Sequence, residues 1–176
     1  MERDEIRLDQ HAENIHKWMK EHYSYYFAYG SCMNRTSFRK TASNFLVIGA
    51  AKLPDYKVAF SRSAKKRKGG IADIVHAPNE MMEGVLYFVP NELIHRIDIR
   101  EHADDQRKHP IYRKINVTVL VDEIKVSAFT YEVIEKENEE VCPHEEYREI
   151  IRKGADLLSE TYQQKLYSHM LNLRQN

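Results

Sequence analysis

Residues Tyr112–Val121 and Ile124–Val133 read YRKINVTVLV and IKVSAFTYEV. In the first, Ile115, Val117, Val119 and Val121 recur at every second position, the period of a strand with one buried face. Only two residues separate the segments, so they predict neighbouring strands. Upstream, four further stretches share β-branched and aromatic composition: FLVIGAAKL, YKVAFSR, IADIVHA and MEGVLYFVP, beginning at Phe45, Tyr56, Ile71 and Met82. One helix-like interruption, Asn91 to Glu101, falls among these six. Doubly wound folds need a helix between successive strands, so the pattern predicts a single α+β domain built on a small mixed or antiparallel β-barrel with flanking helices.

The flanks supply the helices. Ala12, Ile15, Trp18, Met19 and His22 lie at helical spacing, so 9–22 reads as an amphipathic helix with Asp9 as its cap. This sets residues 1–23 apart as a helical extension packed on a core domain of 24–176. YYFAY, Tyr25 to Tyr29, reads as a short buried strand that stops at Gly30-Ser31, and Met33 to Thr41 as a helix. After the acidic stretch EKENEE come two more helices, Pro143–Lys153, stopped by Gly154, and Ser159–Leu173.

Composition narrows the function. With 176 residues, of which 42% are hydrophobic and 31% charged, the chain can form a core and is too apolar for disorder. Lys plus Arg and Asp plus Glu both number 27, without the basic excess of a nucleic-acid or membrane-surface binder. The basic run Arg62, Lys65, Lys66, Arg67 and Lys68 reads as a solvated hairpin loop. Two cysteines, Cys32 and Cys142, suit a reducing, cytoplasmic setting and form no zinc pattern. No apolar run approaches a membrane span. Oligomeric state is left open, a homodimer included.

Three segments can carry chemistry. Phe27-Ala28-Tyr29-Gly30-Ser31 runs from strand into turn, where unpaired backbone N–H groups can hold a carboxylate or an oxyanion; it equally suits an ordinary βα turn in which Gly supplies a positive φ. In Pro90-Asn91-Glu92-Leu93 through Glu101, Asn91 is positioned to cap a short helix whose Leu93, Ile94 and Ile97 face inward. Glu101 then points the same way, either as a desolvated proton carrier or as a salt-bridge partner of Arg100, Arg96 or Lys108. The third is the amphipathic segment Pro143 to Ala155.

Taken in order, the motifs resemble the gamma-glutamylcyclotransferase-like family. They are the FAYGS loop, Gly69-Gly70-Ile71-Ala72, Gly84-Val85-Leu86-Tyr87, Ile97-Asp98-Ile99-Arg100-Glu101, Tyr112, Tyr131, and Pro143 with Tyr147, Ile150, Ile151, Gly154 and Ala155. The resemblance covers about Tyr25 to Leu166. It implies release of 5-oxoproline from a small gamma-glutamyl substrate: the substrate's own α-amine attacks its γ-carbonyl, with no metal or organic cofactor. It also implies Glu101 as the proton carrier and Tyr29, Gly30, Ser31, Cys32, Gly70, Tyr112 and Tyr131 as the substrate-binding set. Four features depart from the family pattern, the mildest being Ile97 in place of Leu. Cys32 stands where the family has Asn, His102 follows Glu101 where Gly is usual, and Ala103 to His109 lengthens the next loop. Other readings are a hydrolase using Cys32 or Ser31, a metal site from His102, Asp104, Asp105 and His109, and a non-catalytic binding module of the same fold.

Overall fold

The computed structural model describes residues 2–104 and 106–173, with residues 2–9 described by backbone alone. Five strands, β1 (Tyr23–Ala28), β2 (Leu46–Ala64), β3 (Gly69–Pro90), β4 (Tyr112–Val121) and β5 (Ile124–Val133), close into a barrel in the order β1-β3-β2-β4-β5. Neighbours are antiparallel except β1 and β5, which run parallel and meet at Tyr26 and Phe129. The expected α+β barrel is therefore present.

Its strand count differs from the expected one. FLVIGAAKL and YKVAFSR belong to one strand, β2, and IADIVHA and MEGVLYFVP to one strand, β3. The breaks read at Pro54-Asp55 and Pro78-Asn79 are irregularities inside a continuous ladder. Asp55 and Asn79 take left-handed backbone angles (φ 61 and 67), and the Asp55 carboxylate accepts the Asn79 amide at 3.0 Å. The pairing register shifts between Pro54 and Tyr56, so two long strands bend there and continue.

Side chains from β1 and β3 build the core on both faces of the barrel wall: Phe27, Ile74, Val85 and Leu86 are all fully buried. Each such large apolar side chain contributes about 2 kcal/mol by leaving water. The helices are α1 (Glu2–His22), α2 (Arg35–Phe38), α3 (Ile94–Arg100), α4 (Glu145–Gly154) and α5 (Glu160–Asn172). Asp9 lies inside α1 and does not cap it, because the helix begins a turn or more earlier. The last turn of α1 meets the barrel through the Glu21 carbonyl, which accepts from Asn91 Nδ2 at 3.0 Å, and through Trp18, 6.0 Å from the Tyr23 ring. Ile15 and Trp18 remain more than half exposed. Asn91 is thus occupied with α1 and Ser24 and does not cap α3. The helix expected over Met33–Thr41 shrinks to a 3₁₀ turn at Ser31–Met33 followed by α2, because the Asn34 side chain accepts the Ser37 amide and starts a new helix there.

Candidate active site

Glu101 is placed by the way α3 ends. Ile97, fully buried, anchors the helix. Beyond Arg100, the His102 amide donates to the Ile99 carbonyl (3.2 Å) and the Ala103 amide to the Asp98 carbonyl (2.8 Å). This pair of bonds is a Schellman cap. It turns the chain sharply at His102 and leaves Glu101 as the capping residue just after the helix, aimed at the 3₁₀ turn. Its side chain, 17% exposed, accepts a hydrogen bond from the Cys32 thiol at 2.9 Å. Arg100 Nε stands 3.8 Å away, while its terminal nitrogens donate to Ser37 and Thr41. Arg100 is thus a held cation beside Glu101, and neither the catalytic nor the ion-pair reading of Glu101 is lost. Desolvation raises the Glu101 carboxyl above the ordinary glutamate range, against the opposing pull of the thiol, Arg100 and Arg67.

Cys32 is buried, and its thiol is pushed far above the ordinary range by burial and then by the Glu101 charge. A thiol in that state is a neutral donor. Nucleophilic attack needs the thiolate, so the hydrolase reading of Cys32 finds no support in this environment.

Around these two residues stands a wall of tyrosines whose hydroxyls are fixed by backbone and carboxylate partners. Tyr29 donates to the Tyr131 carbonyl (2.5 Å), Tyr131 to Asp98 Oδ1 (2.6 Å), and Tyr112 to the Ala72 carbonyl (2.6 Å). Tyr147 accepts the Ala72 amide at 3.3 Å. Burial pushes all four phenols upward, so they act as neutral, rigid polar surface. Together with Gly30, Ser31 and Tyr26 they line a narrow pocket of about 20 Å³, room for about one ordered water. The pocket shares Ser31, Glu101, Tyr112 and Tyr147 with a wider outer cleft of about 580 Å³. The YGS segment, Glu101 and the tyrosines therefore meet at one junction. Among the described residues, no three His, Cys, Asp or Glu side chains converge as metal ligands; Asp105, one of the four residues weighed for a metal, lies outside the described residues.

Comparison with known proteins shows the family and the fold. A family model described as "Gamma-glutamyl cyclotransferase, AIG2-like" matches residues 26–149. The chain belongs to that family. It is 32% identical over 153 residues to YkqA of Bacillus subtilis (strain 168), named as a candidate gamma-glutamylcyclotransferase; the match takes in 85% of this chain and 53% of YkqA, so the chain spans about half of that relative's length. It is 31% identical over 150 residues to the gamma-glutamylcyclotransferase of Homo sapiens, covering 80% of this chain and 76% of the human one. A solved structure titled "Gamma-glutamyl cyclotransferase" superposes with a TM-score of 0.77 at 25% identity, covering 88% of this chain and 89% of the other.

Seen as a gamma-glutamyl cyclotransferase-family chain, its departures acquire physical meaning. His102 has φ 52, the left-handed angle that a Schellman cap requires and that glycine reaches without strain. The usual Gly after the Glu is a helix-stop requirement, which His102 meets at a cost of about 1 kcal/mol. Cys32, in place of Asn, supplies the thiol donor to Glu101. Gly30 has a φ of −116, so the positive φ expected of an ordinary turn is absent; a Cβ there would lie 3.1 Å from the Ala72 Cβ, and the small residue lets the loop pass β3.

Seven of the eight residues expected at the site line the inner pocket: Tyr29, Gly30, Ser31, Cys32, Glu101, Tyr112 and Tyr131. Gly70 does not. Its amide donates to the Cys142 carbonyl at 3.0 Å, and an added Cβ would fall 2.0 Å from the Val141 carbonyl oxygen, so this glycine seats the 141–142 segment on β3. The sequence reading missed Tyr26, Ala72 and Tyr147 as lining residues. Tyr147 and Ala72 stood inside recognised motifs, and Tyr26 inside the aromatic strand, but nothing in the sequence alone shows which side of each element faces the pocket. The basic run is the expected exposed hairpin connection between β2 and β3, and the structure adds where it sits. Lys65–Arg67 forms a 3₁₀ turn over the cleft, where the Arg67 guanidinium stacks 4.7 Å from the Tyr147 ring centroid with Nη2 3.5 Å from Ser31 Oγ.

Proposed function

We propose that the protein is a gamma-glutamylcyclotransferase-type enzyme that converts a gamma-glutamyl compound into 5-oxoproline and a free amine or amino acid. The observation that carries this reading is Glu101, the one carboxylate among the described residues that line the pocket and the cleft, set in a wall of buried tyrosines beside the YGS turn. In the reaction, the substrate's neutral α-amine attacks its own γ-carbonyl carbon. A five-membered ring closes, the bond to the departing nitrogen breaks, and one proton passes from attacking to departing nitrogen. Because both reactants belong to one molecule, the enzyme supplies orientation, a place for the oxyanion and a proton carrier. In this reading the early amides of the 31–33 turn, which have no carbonyl partner within that turn, are the donors to the developing oxyanion. Glu101, ionised at the start, accepts the amine proton and returns it to the leaving nitrogen.

Held by the turn and the tyrosines, the glutamyl head lies at the junction, and the leaving group extends into the outer cleft. Residues 24–176 form the catalytic domain in this reading, and 1–23 an extension. Two unpaired, buried cysteines fit a reducing cytoplasm. Among the described residues, no helix is long and apolar enough to cross a membrane. The test is incubation of purified protein with a panel of gamma-glutamyl amines and amino acids, with 5-oxoproline and released amine quantified by mass spectrometry. Stoichiometric appearance of both products is expected. Saturable binding without 5-oxoproline from any member would replace the enzyme by a binding module of the same fold.

A further inference from the structure

Cations surround the outer cleft. Its lining includes Arg62, Lys65, Lys66, Arg67, Arg100 and His102, with Glu101 the carboxylate among the described residues. Three of these are accounted for by their surroundings. Arg62 pairs with Glu135 at 3.3 Å, and Arg100 is held by Ser37 and Thr41 beside Glu101. Burial lowers the basicity of His102, and the nearby charges of Arg107 and Lys66 add to that effect. Lys65 and Lys66 are exposed and make no ion pair with a described carboxylate, while Arg67, among the described residues, stacks on Tyr147, contacts Ser31 and acts on Glu101 through space without pairing with it. Three cations are thus crowded into one short turn over a cavity, where they repel each other and concentrate positive potential.

From this arrangement we infer that the leaving amine of the substrate carries two or more anionic groups, received by Lys65, Lys66 and Arg67. The inference rests on the cyclotransferase reading, which puts the scissile amide at Glu101 and sends the leaving group past Ser31 and Tyr147 into the cleft. Its volume of about 580 Å³ is enough for an amino acid or short peptide. Acidic amino acids, short acidic peptides and phosphorylated amines share the required chemistry. Arg67, its guanidinium lying over the Tyr147 ring, presents a planar fork, and the two lysines add mobile charges farther out.

A charge series tests this: γ-glutamyl ethylamide, with no charge on the leaving group; γ-glutamylalanine, with one carboxylate; γ-glutamylglutamate, with two; and γ-glutamyl-O-phosphoethanolamine, with a phosphate. Each exposed pair is worth roughly 1.5- to 5-fold, so kcat/KM at low salt is expected to rise by about tenfold from the neutral to the doubly charged leaving groups, mainly through KM. A rise for γ-glutamylglutamate alone marks acidic amino acids as the source, and a rise for the phosphate compound alone marks phosphorylated amines. Raising salt from about 0.01 M to about 1 M shortens the screening length from about 30 to about 3 Å and should flatten the series in the unmodified protein. In Lys65→Gln/Lys66→Gln, checked for folding by circular dichroism, the ratio of dianionic to neutral kcat/KM should fall at least threefold. Equal 5-oxoproline release across the series, insensitive to salt, would overturn the inference and leave the cyclotransferase reading standing. A preference that persists unchanged in the double variant would also overturn it. No 5-oxoproline from any member, with calorimetric binding that still follows charge, would instead overturn the reaction and keep the anion subsite.

Discussion

Replacing Glu101 by Gln separates its two roles. Gln keeps the size of Glu and a carbonyl oxygen that can still accept the Cys32 thiol, now 2.9 Å from Oε1, but it cannot carry a proton. General acid–base catalysis contributes about 100- to 10,000-fold, which is about 2.7–5.5 kcal/mol of barrier, so 5-oxoproline release should fall by that much at saturating substrate. Stability should respond in the opposite sense to a broken ion pair. Burial raises the folded Glu101 carboxyl above its unfolded value, so its stabilising protonated form is fully present only below the ordinary glutamate range and is lost as pH rises through the raised value. At neutral pH the native protein holds a desolvated carboxylate, and Gln removes that cost. Arg100, 3.8 Å away, keeps its bonds to Ser37 and Thr41. Thermal unfolding at pH 7 should therefore give Glu101→Gln a Tm no lower than the unmodified protein, an advantage that shrinks in acid. A loss of activity smaller than about tenfold, against the range expected for a proton carrier, would refute the catalytic assignment. A marked drop in Tm would instead make Glu101 a structural partner of Arg100.

Other consequences are equally direct. Cys32→Ala should keep activity but move the acid limb of kcat/KM to higher pH, because the thiol bond it removes favours the ionised Glu101; an acid limb that stays in place would show that the bond is not made in solution. A substrate acetylated on its α-amine should give no 5-oxoproline, having lost its nucleophile, and product at a comparable rate would mean that water or an enzyme group attacks. Gly70→Ala should lose about 1–3 kcal/mol or more in chemical denaturation, since the new Cβ would lie 2.0 Å from the Val141 carbonyl, while KM of the folded fraction stays unchanged; a raised KM would return Gly70 to the substrate-binding set. His102→Gly should gain about 1 kcal/mol by relieving the left-handed backbone at φ 52, and a loss would mean that the His102 side chain contributes packing that outweighs the strain.

The barrel was legible because its clearest strands alternate strictly, and that period needs no tertiary information. Element boundaries were less so. Pro54-Asp55 and Pro78-Asn79 carry the composition of turns, and only the Asp55–Asn79 bond across the ladder shows that they are bends within strands. Asn91 has the composition of a cap, yet a helix arriving from residues 2–22 takes its side chain. At the site, motif order identified Tyr29, Gly30, Ser31 and Glu101, and Ile97 at helical spacing already implied that Glu101 turns inward.

What the sequence alone determined about this protein is the class of the fold, the order of its motifs and Glu101 as the candidate carboxylate of the site. Local periodicity and residue chemistry suffice for those. Tertiary structure decided the partnerships: the Cys32 thiol on Glu101 across 69 positions of chain, Tyr147 against Ala72 across 75, and Gly70 under Val141 instead of facing the pocket. It also placed the basic run, an exposed hairpin connection as expected, at the rim of the cleft. The physical reason is that hydrogen bonds, desolvation and charge crowding act through distances in space. A closed barrel brings together residues whose separation along the chain carries no trace of that contact.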